Sequence, residues 1–553
     1  MENKLNSIRS LLKKADLKKA DQTAPFRLWL FVGLLAMATG IVLSILFLNR
    51  LPRLDTLDEL HNWVVQWTYA RTGLLGDWFY RQMIPLPQPI YDTFHIPAAL
   101  LLRLIGDSFW QARLARFLLT LIALPFIYKS GEMLYGKRTG LFACAIAFFF
   151  MIPINYVRPD FGVGIMLSIG LYCFLLAEKH NRPILHYLTG LMIGLGGEGH
   201  PLAYRFGVAF GLIYGIRWLY EIYRRKRIFF DGHVFAIGMG GATAILIYVA
   251  IHLLPGLEQG LHFAKSYSPA GQTVPGQLQA ATEIISRQFE VWNEFHPAEQ
   301  WIFAAGIVLA VFRFHRGDRL ILFILLVAEV LMLATYGYYR AVYQIHFLPL
   351  FVLLMGKALA DGFDFRSDPR PAEGNRWRLA FAALIFTICS AVMINRGLSE
   401  ADPMREEFED IGRQFAATFP PNVRVMANED YFLTYTHPDF YGISTIATPA
   451  WFIVDLQDYA LMEATAPDVI VLTPELDWPK YVPFTSIYEY IGDKGFQLVR
   501  CYTATGKATA RVYMKEPPQG WKDTTLGCRR WGGEDNREPA IDVRAAPLHR
   551  PAN

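Results

Sequence analysis

Asn49–Trp67, "NRLPRLDTLDELHNWVVQW", decides how the rest of the chain is read. It follows a long apolar run and sets Asp55, Asp58, Glu59 and His61 close together beside Trp63 and Trp67. Asp55, Asp58 and Glu59 stand at i, i+3 and i+4, so on a helix they share one face, with His61 three residues beyond Asp58. Carboxylates this close favour proton uptake by one of them, which suits a general base at neutral pH. The plain alternative is a solvated helix start, where acidic residues are favoured by the dipole. The choice depends on which side of a membrane the cluster faces, and on what faces that side with it.

That a membrane is involved follows from composition. The chain of 553 residues is 53% hydrophobic and 18% charged, against about 25% charged for a soluble domain. Its mean hydropathy is +0.23. A bilayer core takes about 20 apolar residues per helix. Such runs lie near 27–49, 111–129, 138–156, 161–178, 184–198, 201–221, 231–254, 299–314, 319–336, 343–360 and 377–395. The expected fold is therefore a polytopic α-helical membrane protein of about eleven spans. The run 94–106 carries Arg103 and is too short to span, so it reads as an interfacial helix. Residues 1–26 form a basic leader without a small-residue cleavage pattern.

Basic residues orient the bundle. "RSLLKKADLKK", "YGKRTG", "EKHNRP", "YRRKR", "RFHRGDR" and "RSDPRPAEGNRWR" fall on every second connection, which makes that side cytoplasmic. The N-terminus is then inside. The loops 50–110 and 255–298 and everything after residue 395 are outside. Within the tail, "NVRVMA", "PDVIVLT" and "ARVYMKE" read as strands and "REEFEDIGRQFAATF" as a helix. An extracytoplasmic α/β domain is expected over 396–517, followed by a disordered tail over 518–553. Cys144, Cys173 and Cys389 fall in apolar runs, whereas Cys501 and Cys528 fall in the tail and could either pair in an oxidising compartment or stay free.

Three further stretches lie on the outer side. "NYVRPDFG" places Arg158 and Asp160 where Pro159 breaks a helix, either as a helix-end ion pair or as a second carboxylate facing the first. "GGEGHP" holds Glu198 and His200 in a glycine-rich turn, which needs no ligand but allows one a close approach. "TYGYYRAVYQIHFLPL" sets Arg340 among Tyr336, Tyr338, Tyr339 and Tyr343, with His346 one turn on. Interfacial tyrosines are ordinary. Arginine is also the natural partner of a phosphate, because its fork bonds two oxygens. Lys265 in the long loop is a weaker candidate for the same contact.

The order of these features resembles the GT-C glycosyltransferases that use a polyprenyl-phosphate-linked sugar. It is nearest to the protein O-mannosyltransferases and the lipid A aminoarabinose transferase. The resemblance covers about 50–360 and rests on "LDELH", "PLPQPIYDTFHIPAALLLRLIG", "SFWQARLARFL", "LYGKRTGLFACAIAFFF", "RPD" and the tyrosine–arginine stretch ahead of "FLPL". Two departures stand out: "PLPQP" lacks the lysine of a "KPP" element, and "GGEGHP" replaces a Lys-Gly turn.

The resemblance implies an inverting transfer in the cytoplasmic membrane from a lipid-linked sugar to a glycan, lipid or protein acceptor, with membrane lipids as surroundings and no nucleic acid. Asp58, with Glu59, would be the base pair. Asp160 and Arg158 would orient the acceptor or the base, and Arg340 would meet the leaving phosphate. Asp55, His61, Glu198, His200, Lys265, Tyr339, Tyr343 and His346 complete the binding set. No cofactor is firmly implied and no metal ligand is assigned, although clustered carboxylates are compatible with a divalent ion. Trp63, Trp67 and the 94–106 helix would line the groove of the prenyl chain. A lipid-linked-sugar flippase, or a non-catalytic component of glycan assembly, is the alternative from another class.

Overall fold

The computed structural model describes residues 25–48, 56–73, 92–150, 157, 158, 160–254, 286, 297–335, 341–361, 375–399, 403–437, 439–443, 458–472, 484–503 and 509–517. The chain divides into two units, Met1–Asp402 and Pro403–Asn553.

The first unit is helical. In chain order it carries α1 (Pro25–Phe47), α2 (Thr56–Thr72), α3 (Asp92–Ile105), α4 (Phe109–Thr120), α5 (Ala123–Tyr135), α6 (Lys137–Phe150) and α7 (Phe161–His180). There follow α8 (Pro183–Leu195), α9 (Tyr204–Arg225), α10 (Gly232–Tyr248), α11 (Pro297–Arg313), α12 (Arg316–Thr335), α13 (Leu348–Asp361) and α14 (Asn375–Ser399). Each apolar run named above is largely helical over its described residues. By length and composition, five stretches among the described residues are long and apolar enough to cross a membrane: Leu28–Phe47, Phe109–Tyr135, Phe161–His180, Gly232–Ile251 and Arg378–Asn395.

Local chemistry sets the helix ends. Ser108 and Gln111 form a reciprocal capping box that starts α4. Asn181 takes the left-handed conformation that ends α7, at φ 54°. Pro183 then opens α8, where its missing N–H is no loss. The Asp231 carboxylate accepts the N–H groups of His233 and Val234 to start α10.

The centre of the unit is α6 against α13. Phe142, Ala143, Ala145, Ile146 and Ala147 are buried on α6, and Leu348 to Met355 are buried along α13. Among lipid tails such contacts gain little from water exclusion, so close fit carries the association. Helices α2 and α3 pack together through polar ends. Arg103 donates to the carbonyls of Ala70 and Tyr69, and Arg71 pairs with Asp107 at 2.6 Å. Trp63 and Trp67 are buried, and Trp63 stands edge-on to Phe109 with its Nε1–H on the Asp107 carbonyl. Trp63 thus ties α2 to the start of α4.

The second unit carries α15 (Pro403–Thr418), β1 (Val425–Ala427), β2 (Phe440–Gly442), α16 (Asp458–Thr465), β3 (Val469–Leu472), α17 (Phe484–Asp493), β4 (Gln497–Thr503) and β5 (Thr509–Met514). The sheet order is β2-β1-β3-β5-β4. The β1–β2 and β1–β3 pairs are parallel, and the other two are antiparallel. Met426, Tyr441, Met462, Ile470, Ile487 and Tyr490 form one core. Phe415 of α15 packs among Phe419, Tyr431, Tyr435 and Tyr502. Cys501 is disulfide-bonded, and Cys528 lies outside the described residues.

Candidate functional site

Asp160 is the hub of a buried polar cluster. It precedes α7 but makes no side-chain cap of that helix. Both of its oxygens are used elsewhere: Arg158 Nε donates to Oδ2 at 2.9 Å, and His346 Nε2 lies 3.1 Å from Oδ1. The helix-end pair weighed from the sequence is therefore a side-chain network. Burial raises the Asp160 pKa, but Arg158 and the His346 hydrogen bond outweigh it and hold the carboxyl well below the usual range.

His346 comes from the 3-10 turn Ala341–His346, and its Nδ1 lies 2.9 Å from Arg205 Nη2 at the start of α9. His200 brings its ring within 5.4 Å of His346 and 4.8 Å of Tyr343. Its Nδ1 accepts the Leu202 N–H at 3.1 Å, and burial pushes its pKa down to about 3, so it is neutral. Glu198, two residues away, is also buried. The turn "GGEGHP", the residues Arg158 and Asp160, and the start of the "FLPL" helix thus meet in space.

Glu59 has a different place from that of a free base. Arg113 Nε and Nη2 each donate to one of its oxygens at 3.0 Å, and Val157 N–H donates to Oε1 at 3.0 Å. Arg113 also donates to the Leu48 carbonyl. Next to it on α4, Arg116 donates to the Arg158 carbonyl and stacks 3.8 Å from the centre of the Phe161 ring. Glu59, Arg113 and Arg116 thereby grip the segment that carries Arg158 and Asp160. Arg116 is 1% exposed, makes no ion pair with a carboxylate among the described residues, and leaves its Nε without a hydrogen-bond partner. His95 on α3 meets Gln66 at 3.3 Å, and burial, then Arg116, press its pKa down to about 3.

Asp58 lies on α2, one residue before Glu59; its side chain, with Asp55, Lys265, Tyr339 and Arg340, lies outside the described residues. His61 is half-buried on α2. The sequence reading missed Arg113, Arg116, Arg205 and His95 as members of the cluster. The first three carried a signal, because an arginine inside an apolar helix is costly and marks a buried partner or a function.

The donor set Asp160, His200 and His346 lies within 4.8 Å, a spacing that alone would suit a metal ion. Arginine has donors only, so Arg205 requires a lone pair on His346 Nδ1 and puts the ring hydrogen on Nε2. As arranged, His346 does not fit a metal.

The family model of dolichyl-phosphate-mannose–protein mannosyltransferases matches residues 94–252. Among solved structures, ArnT from Cupriavidus metallidurans bound to undecaprenyl phosphate is 11% identical, with TM-score 0.55, over 88% of this chain and 98% of that one. Its apo state is 13% identical, with TM-score 0.56, over 87% and 97%. The Archaeoglobus fulgidus oligosaccharyltransferase with Zn and sulfate is 12% identical, with TM-score 0.48, over 88% and 73%. No curated protein matches the chain. The chain is a multi-pass membrane protein with the fold of the GT-C glycosyltransferases. The resemblance read from the motifs is borne out, and the mannosyltransferase match covers "FHIPAALLLRLIG", "SFWQARLARFL", "RPD" and "GGEGHP".

Proposed function

We propose that the protein is an inverting glycosyltransferase that moves a sugar from a polyprenyl-phosphate carrier to an acceptor hydroxyl at the outer face of the cytoplasmic membrane. The observation that carries this reading is the excess of buried guanidinium groups among the described residues. Arg113, Arg116, Arg158 and Arg205 stand with the carboxylates of Glu59, Asp160 and Glu198, all buried. The cluster also sits at the N-terminal ends of α7, α9 and α13, whose dipoles add positive potential. An enclosed site of this sign is suited to an anion. The ArnT relative binds undecaprenyl phosphate.

In the reaction Asp58 takes the proton of the acceptor hydroxyl. The hydroxyl oxygen attacks the anomeric carbon from the face opposite the phosphate, and the bond from that carbon to the phosphate oxygen breaks. The lipid phosphate leaves with the electron pair, and Arg340 and Arg116 meet its charge. Phosphate is a good leaving group once neutralised, so a positioned base and a cationic clamp suffice. Asp160, with both oxygens committed, positions rather than abstracts, and Glu59 holds it through Val157. Tyr339, Tyr343, His61, His200 and Lys265 contribute to donor and acceptor binding. The acceptor is a glycan, lipid or protein hydroxyl. The Cys501 disulfide supports an oxidising, extracytoplasmic location for the second unit.

The test uses purified protein in nanodiscs with a radiolabelled polyprenyl-phosphate sugar and a membrane extract as acceptor. Wild type should consume the donor, and Asp58→Asn should lower the rate by about three orders of magnitude, the middle of the range for a lost general base. The variant should insert and elute as wild type does. Unchanged turnover by Asp58→Asn, or movement of intact donor across the bilayer without transfer, would sink the reading in favour of the flippase.

A further inference from the structure

The direction of the Arg205 hydrogen bond fixes what the Asp160 cluster can hold. The guanidinium carries donors only and stays protonated. With Nη2 at 2.9 Å, His346 Nδ1 must be the acceptor. The single ring hydrogen then resides on Nε2 and points at Asp160 Oδ1, 3.1 Å away. Imidazole binds a metal through a lone pair, and neither nitrogen of His346 has one turned to the centre. Producing one would place a hydrogen on Nδ1 against the N–H of Arg205, where both side chains are fully buried. Arg205 is also held in place, lying 4.3 Å from the centre of the Phe347 ring and 5.3 Å from that of Phe206. The Leu202 N–H on His200 Nδ1 acts in the same sense, but a neutral amide opposes a tautomer change less than a charged donor does.

We propose that Arg205 is a positioning residue that locks His346 as its Nε2–H tautomer and so keeps divalent metal out of the Asp160–His200–His346 cluster, leaving Arg158 as the cation that Asp160 faces. The assignment goes beyond the transferase reading and does not depend on it. It makes the second acidic centre a metal-free hydrogen-bonded chain, Arg205–His346–Asp160–Arg158. That chain holds Asp160 as an acceptor in one orientation and spares the site from competing for scarce metal.

The test is metal uptake by the purified full chain, stripped with chelator, dialysed against Zn2+ or Mn2+ alone and counted by mass spectrometry. Uptake at this cluster is the difference between a protein and the same protein carrying Asp160→Asn. Wild type should show none. Arg205→Gln offers an oxygen that accepts an Nδ1 hydrogen and frees Nε2, so it should gain about one equivalent; Arg205→Met should gain it more weakly. Arg205→Lys, again a donor only, should stay at the wild-type level, which separates a tautomer effect from loose packing. One equivalent in wild type that Asp160→Asn removes would overturn the proposal. So would equal uptake by the Gln and Lys variants, or no gain in either Gln or Met. Because the readout is binding, failure of the transferase reading leaves the result interpretable.

Discussion

Glu59 and Arg113 lie 54 residues apart in the chain and meet through two parallel hydrogen bonds in a site almost closed to solvent. A buried pair of this kind is costly to break, because the survivor keeps its charge without its partner; removal of one side costs about 3–5 kcal/mol. Glu59→Gln or Arg113→Met should therefore lower the thermal midpoint in detergent by several degrees, and Arg113→Met should do so even in the absence of substrate. The double variant should recover part of the loss, since neither charge is left alone. Equal and additive losses would show that the two residues do not act as a pair. At this scale the sequence displayed the acids and histidines but not their partners. Asp58, Glu59, Asp160, His200 and His346 stand out as polar residues among oily ones. Nothing local says that Glu59 answers Arg113 and Val157, or that His346 answers Asp160 from 186 positions away. The i, i+3, i+4 spacing set Glu59 beside Asp58 in the sequence but carried no sign of the long-range ion pair that Glu59 makes.

Helices α8 and α10 show why apolar periodicity reveals elements better than contacts. Both runs were legible as apolar stretches, and both are helices. What joins them is the absence of side chains. A Cβ added at Gly190 would run into the Ile237 carbonyl, and one added at Gly240 into the Tyr187 carbonyl. The main chains approach too closely for any other residue, as small residues permit between membrane helices. Gly190→Val or Gly240→Val should push the two helices apart and destabilise the bundle by at least the 1–3 kcal/mol typical of overpacking. Gly238→Val, whose added Cβ meets nothing within 4 Å, should be tolerated. Thermal unfolding of the three variants in one detergent checks this; similar midpoints for all three would contradict it. In the second unit the stretches "NVRVMA" and "PDVIVLT", with their β-branched residues, announced the strands at 425–427 and 469–472. The short β2 and the polar, aromatic β4 did not, because pairing with neighbours rather than pattern makes them strands.

At the scale of the whole molecule, basic residues recur on every second connection of the sequence, which implies one shared side for the separate motifs. The structure joins three of those motifs directly, through Asp160, His200 and His346. The account depends on Asp58 and the 335–344 segment opening to that same side. Single cysteines in place of Asp58, Lys265 and Arg340, with a cytoplasmic control in place of Lys226, test this in intact cells with a membrane-impermeant maleimide. Background is low, since Cys144, Cys173 and Cys389 are buried and Cys501 is disulfide-bonded. The account expects the first three positions to react from outside and position 226 to react only after permeabilisation. Labelling of position 58 from the cytoplasm, or of 58 and 340 from opposite sides, would contradict it.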